Sequence, residues 1–301
     1  MRNALCDTLV GMADEPDFVF LTGDLGYMAL EPLQAALGER FINAGVAEQN
    51  MVSVAAGLAR AGLRPWAYSI APFVYARPFE QIRNDICLHD LPVVLAGNGG
   101  GYAYGVMGST HHALEDYGVL LTLPNMRAFV PAFAADLGPI VRRLFQFPCP
   151  AYLRLGRDEK PTGFMLPEYQ PWRRLIAGGG PVVVVVGPLA GSFLEPFAAL
   201  PESQRPSFWV ATELPFTPDT LPSAFLEDLG RAEHLIVVEE HVAQGGAGQM
   251  LAHCLLTLRL APRRFTHRHA ANGALTCYGS QQFLRRKHGL DPASVLATVT
   301  E

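Results

Sequence analysis

Cysteine is scarce in this chain: five in 301 residues (Cys6, Cys87, Cys149, Cys254 and Cys277), odd in number and widely spaced. No C-x-x-C pair occurs, so neither a disulfide framework nor a zinc knuckle is indicated, and buried, reduced thiols are expected. No Lys/Arg run is longer than three residues and the net charge is -5, which argues against nucleic acid and against an anionic membrane surface as the main partner. No apolar run approaches the length needed to span a bilayer. The opening MRNALCDTLVGMADEPD meets an acid by position 7 and lacks an apolar signal core, so a cytoplasmic location is expected. Neither G-x-G-x-x-G nor G-x-x-x-x-G-K-S/T fits the glycine runs, which removes the common nucleotide fingerprints. Internal repeats and low-complexity tracts are also missing. Small molecules and other proteins remain as partners.

What the chain has is apolar bulk. Half of its residues are hydrophobic, enough for a large core, and 301 residues exceed one average domain, so two domains are expected. Short β-rich runs followed by turns and helical periodicity recur: FVFLTGD (18–24), PVVLAGNGGG (92–101), PVVVVVG (181–187), FWVATEL (208–214) and HLIVVEE (234–240). This alternation predicts an α/β chain of two doubly wound domains with mainly parallel sheets. The stretch RLGRDEKPTGFMLPEYQPWRR (154–174) is rich in Gly, Pro and charge and reads as irregular. It places a first domain at 1–157, a linker at 158–179 and a second domain at 180–301. Val52, Ala55, Ala56 and Ala59 fall at helical spacing with Gly62 as a stop, predicting a helix over 47–60 with Glu48 in its first turn. A second helix opens at Pro78 with Phe79, Ile82 and Ile86 inward, and AYSIAPFVYA (67–76) between the two reads as an apolar, aromatic loop.

From spacing alone, Glu48 reads as an acid that complements a helix dipole by a few tenths of a kcal/mol, and most acids so placed do nothing else. Gly97, Gly99, Gly100 and Gly101 follow a strand and can cradle an anion, and GGAG at 245–248 reads as a packing turn between strand and helix. His111 and His112 follow the glycine-rich loop where open α/β sheets place ligands, so at least one can face a cleft; no third ligand stands nearby, and no metal site is assigned. His267 and His269 lie on one side of a strand, for which an exposed edge is the default.

FINAGVAEQNMVSVAAGLARAG, the aromatic loop, RPFEQIRND, GSTHHALED and LPNMRAFVPA, in that order and spacing, resemble the pyrimidine-binding domain of the transketolase family of thiamine diphosphate enzymes. The remainder, including VVEEHVAQGGAG, resembles that family's C-terminal domain, whereas the diphosphate-binding half, with G-D-G followed by Asn to hold Mg²⁺ and the cofactor phosphates, is absent. The resemblance implies the C-terminal section of a split, two-component transketolase. It further implies a companion N-terminal-section subunit that holds Mg²⁺ and the diphosphate, self-association through the C-terminal domain, and an α2β2 assembly. Glu48 matches the glutamate that shares a proton with the cofactor pyrimidine. The segment IAPF matches an F-x-x-F stacking wall, with Phe73 present and Ile70 replacing the first aromatic. Asp24 in LTGDLG matches an acid near the cofactor at the subunit contact, His111 a histidine on donor oxygens, and Arg157 in RLGR an arginine for a sugar phosphate.

The chain also departs from the family pattern. GVMG stands for G-E-D-G, so Met107 replaces the aspartate that reads a donor hydroxyl, and Gly99 stands where a phosphate-binding histidine is usual. Each missing ligand hydrogen bond costs about 1–3 kcal/mol, so a simple pentose phosphate is expected to bind poorly. A 2-oxoacid such as pyruvate, or a larger or differently activated sugar, is the alternative substrate. Tyr102 and Tyr104 in GGGYAYG are candidates to stack on it. The implied activity is transfer of a two-carbon ketol or acyl unit to an aldehyde or sugar acceptor. Two rivals remain, the β subunit of a 2-oxoacid dehydrogenase and a non-catalytic assembly or regulatory subunit.

Overall fold

The computed structural model describes residues 1–271 and 278–300, so Cys277 lies outside the described residues. In chain order the strands are β1 (Phe18–Thr22), β2 (Phe41–Asn43), β3 (Arg64–Ile70), β4 (Val94–Asn98), β5 (Arg127–Phe129), β6 (Ala151–Leu155), β7 (Trp172–Ile176), β8 (Val182–Val186), β9 (Ser207–Ala211), β10 (Glu213–Leu214), β11 (His234–Val242) and β12 (Arg264–Ala270). Among the described residues they form two sheets, ordered β10-β5-β6-β4-β3-β1-β2 and β12-β11-β8-β9-β7. Among the described residues, every pairing between these strands is parallel except β10 on β5 and β7 on β9.

Alternation along the strands divides the interior into layers. On β1, Val19 and Leu21 enter one apolar cluster while Phe18 and Phe20 enter the other; on β3, Ala67 faces the first and Trp66 and Tyr68 the second. Helices cover both faces: Arg2–Val10 and Leu137–Gln146 on the aromatic side, Glu48–Arg60 on the other. The five consecutive valines of β8 are all buried, with Val183 and Val185 facing a third cluster and Val182, Val184 and Val186 joining the first. β-branched side chains suit a strand covered on both faces. The first cluster thereby runs unbroken from one sheet to the other.

Five sequence expectations are corrected. AYSIAPFVYA is no loop: its first residues belong to β3, and Ala71–Tyr75 is a short helix. The helix opening at Pro78 is a short α turn, Phe79–Gln81, continued by a π turn, Ile82–Ile86, with Ile82 and Ile86 buried as expected. FWVATEL splits at Thr212, so that β9 stays in the second sheet and β10 crosses to the first. The span read as a linker contributes β7, the antiparallel edge of the second sheet. β12 is an edge strand, yet His267 and His269 on it are half-buried rather than exposed.

A buried charged network joins the two halves. Arg154 on β6 donates from Nε to Asp116 Oδ2 at 2.8 Å and from Nη2 to the carbonyls of Ala113 and Glu240, at 2.7 and 2.8 Å. The Glu240 side chain takes Arg285 Nε at 2.6 Å, and Arg285 Nη1 reaches Glu159 at 2.6 Å.

Candidate functional site

The order of the first sheet reverses between β1 and β3, and at such a point the loops leaving the carboxyl ends of neighbouring strands diverge and leave a crevice. Asp24 follows β1, Glu48 follows β2, Phe73 follows β3, and the glycine-rich loop with His111 follows β4. Four of the candidates are therefore delivered to one end of the sheet by the topology itself.

Glu48 is the first residue of the helix Glu48–Arg60, whose buried face is Met51, Val52, Ala55, Ala56 and Ala59 and which packs on β3. Gly45 turns the chain into it at φ +68, and Gly62, at φ +91, closes it with its N–H on the Ala59 carbonyl. The side chain is nearly covered, at 6% exposure. Val46, by contrast, points into solvent. The side chain that meets the acid is Arg77, whose Nη1–H donates to Glu48 Oε1 at 2.8 Å. The same guanidinium lies over the Phe73 ring, with Cζ 3.8 Å from the centroid. An open groove of about 650 Å³, lined by Val46, Ala47, Glu48, Gln49, Asn50 and Arg77, fronts this pair.

His111 closes the other side. Its ring meets Phe73 edge-on at 5.2 Å and Tyr104 at 6.2 Å, and its Nδ1 pairs with Thr110 Oγ1 at 2.9 Å. Tyr104 is held by Asn98, whose Nδ2 donates to the phenol oxygen at 2.7 Å. Gly99 is explained by the same ring: its φ is +84, and a Cβ there would lie 2.1 Å from Tyr104 Cε2. A side chain at 99 and the aromatic ring at 104 are mutually exclusive, so Tyr104 takes up the space into which a histidine at 99 would project.

The remaining candidates are distributed as follows. Asp24 is exposed and accepts from Asn43 Nδ2 at 3.1 Å. Ile70, the last residue of β3, is half-buried next to the Phe73 helix. Met107 is 53% exposed on the turn Gly105–Met107. Arg157 is exposed past the end of β6, which lies beyond β4 and farther from the crevice. Tyr102 is corrected: it is fully buried between His288, stacked at 5.6 Å, and His112, edge-on at 5.3 Å, and presents no face to a ligand. His112 is likewise interior; burial pushes its imidazole below the usual histidine range, and its Nε2 stands 3.4 Å from the Gly105 carbonyl. Of the adjacent histidines, His111 therefore faces the cleft.

Two functional features escape the sequence reading. Arg77 stands first in RPFEQIRND, yet nothing in that segment points to Glu48, which residue 77 meets only through tertiary packing. The Arg154–Asp116 pair, which supports the 99–113 loop from beneath through the Ala113 carbonyl, is equally a product of tertiary packing.

Comparison with known proteins agrees with this architecture. The family described as "Transketolase, pyrimidine binding domain" matches residues 1–162. One of the subunits of apulose-4-phosphate transketolase from Phocaeicola vulgatus is 30% identical over 262 residues, covering 84% of this chain and 83% of its own length. Its counterpart in Actinobacillus succinogenes is 28% identical over 273 residues, covering 89% and 86%. A solved structure titled "Split gene transketolase, inactive beta4 tetramer" superposes with a TM-score of 0.82 at 31% identity, covering 99% of this chain and 96% of that one.

Proposed function

The chain belongs to the transketolase family, and from that premise we propose that it is the pyrimidine-binding and C-terminal subunit of a two-component, thiamine diphosphate- and Mg²⁺-dependent transketolase-like enzyme. Its reaction is transfer of a two-carbon ketol or acyl unit to an aldehyde or sugar acceptor. The observation that carries this reading is the meeting of Glu48 and Phe73 in one crevice, already bridged by a planar cation, which matches a seat for a flat, proton-donating heterocycle. When bound, thiamine diphosphate supplies a nucleophilic carbon able to cleave and form bonds next to a carbonyl group.

This chain's residues have the following roles. Glu48 shares a proton with the ring nitrogen of the pyrimidine, favouring the tautomer that acts as the internal base. Phe73 covers one face of that ring, with Ile70 completing the wall, and stacking of this kind adds about 0.5–1.5 kcal/mol beyond burial. Asp24 stands at the subunit contact. His111, held edge-on to Phe73 and Tyr104, is placed to contact donor oxygens, with Arg157 as a phosphate contact and Met107 and Gly99 shaping the substrate rim.

The diphosphate and Mg²⁺ are assigned to a companion chain carrying the G-D-G half, in an α2β2 assembly of cytoplasmic location. The split-gene relative titled an inactive β4 tetramer supports self-association of such a chain without activity. Replacement of the hydroxyl-reading acid by Met107, and the relatives named for apulose 4-phosphate, support a substrate other than a simple pentose phosphate.

The test is reconstitution with a candidate companion. The chain alone should show no turnover. In the complex, Glu48→Gln should lower kcat about a hundredfold or more with folding little changed, and near-normal turnover would remove Glu48 from the mechanism. A specificity constant for xylulose 5-phosphate with ribose 5-phosphate of roughly 10⁴ M⁻¹s⁻¹ or above would refute the altered substrate range.

A further inference from the structure

Both groups assigned to the pyrimidine are engaged by Arg77. One of its N–H groups points at Glu48 Oε1, and its flat face lies on Phe73, 3.8 Å from the centroid. A guanidinium is planar, donates in its plane and is weakly hydrated on its faces. A protonated aminopyrimidine offers the same two features, an in-plane N–H for a carboxylate and a flat face for a ring. The two cannot occupy one seat together.

Burial explains why something must occupy it. A carboxylate at 6% exposure with no counter-charge costs several kcal/mol, so without a ring in place the acid needs another partner. Arg77 meets that need and can leave: its side chain is 44% exposed and borders the open groove, where Gln49 and Asn50 offer polar contacts.

We propose that Arg77 sets the affinity of this chain for the cofactor's pyrimidine end, holding the Glu48–Phe73 seat through the same two contacts and turning into the groove when the ring arrives. The proposal rests on the assignment of Glu48 and Phe73 to the pyrimidine. It makes Arg77 a competitor for the ring, so removing it strengthens binding, opposite to the effect of removing a contact residue.

The probe is thiamine, which lacks the diphosphate and so needs no companion clamp, titrated into the full chain and followed by ligand-observed NMR and calorimetry. Arg77→Ala should bind thiamine about five- to thirtyfold tighter than the native chain, the sum of one half-exposed ion pair and one cation–π contact. Arg77→Lys, which keeps the charge but not the planar face, should fall between the two. Equal, weaker or undetectable binding by Arg77→Ala overturns the competition. If Phe73→Ala and Glu48→Ala, each made with Arg77 retained, nonetheless abolish the binding that the native chain shows, the seat itself stands. If neither changes thiamine binding in any background, the assignment of the seat fails, and the role of Arg77 fails with it.

Discussion

Replacing Arg154 with methionine tests whether the charged network beneath the glycine-rich loop holds the two halves together. Arg154 is 4% exposed and Asp116 fully buried, with Nε 2.8 Å from Oδ2. Methionine of similar length fills most of the space but removes the counter-charge, leaving Asp116 with the Tyr152 hydroxyl at 2.7 Å. The Glu240 carbonyl loses its 2.8 Å donor, while the Ala113 carbonyl keeps the Gly101 N–H at 2.9 Å. Stranding a buried carboxylate in this way costs about 3–5 kcal/mol, a large part of the roughly 5–15 kcal/mol that holds a typical protein folded. Asp116→Asn added to Arg154→Met removes the stranded charge and keeps an acceptor for Tyr152, so the double variant should recover about 2 kcal/mol or more. Urea unfolding followed by circular dichroism on native, single and double variants reads this coupling directly. A loss below about 1 kcal/mol for Arg154→Met, or effects that add to within about 0.5 kcal/mol, would refute the account.

Two further outcomes follow from the geometry. Glu239, buried beside β12, accepts from His267 Nε2 at 2.6 Å, from the Tyr117 hydroxyl, and from the N–H groups of Ala247 and Gly248 at 2.8 and 2.9 Å. Burial pushes its carboxyl upward, but the histidines and these donors outweigh that and bring it down to about 2 from an ordinary 4.5. Because the folded value is the lower one, the stabilisation, about 3 kcal/mol, is complete above pH 4.5 and is lost as pH falls toward 2. Urea midpoints between pH 5 and pH 3 should therefore fall steeply in the native chain and much less in Glu239→Gln; parallel curves would refute it. Gly99→Ala should cost about 1–3 kcal/mol more than Gly38→Ala, since both glycines have positive φ but only residue 99 drives a Cβ into a ring. Equal shifts in the denaturation midpoint would show that Tyr104 yields without cost.

Much of the frame was legible because local patterns are sufficient for it. The alanines and valines after Glu48 repeat at helical spacing and stop at a glycine, and five consecutive valines admit little besides a doubly covered strand. The three-residue strands β2 and β5 carry too few positions for any period to show, and β7 lay hidden in a stretch whose glycines, prolines and charges belong to its neighbours. At the site, Glu48, Phe73 and His111 were reachable through motif resemblance. Tyr102 was misplaced because a tyrosine beside glycines looks accessible in one dimension, whereas His112 and His288 enclose it in three. Arg77 was missed because its partners are 29 residues upstream and four residues upstream at once, a combination that no single periodicity encodes.

The excursion of β10 bears on how such a chain can be shuffled. Glu213 and Leu214 are encoded far past the point where the first sheet's own segment ends, yet they pair antiparallel with Phe129 and Ala128 on its border. A crossover that grafted a foreign second half after residue 157 would withdraw that border strand, together with the Glu240 carbonyl that Arg154 addresses. The halves are thus inherited as a matched set: a viable chimera must import a strand that fits β5 and a backbone acceptor that fits Arg154, and modular exchange is restricted to relatives that keep both.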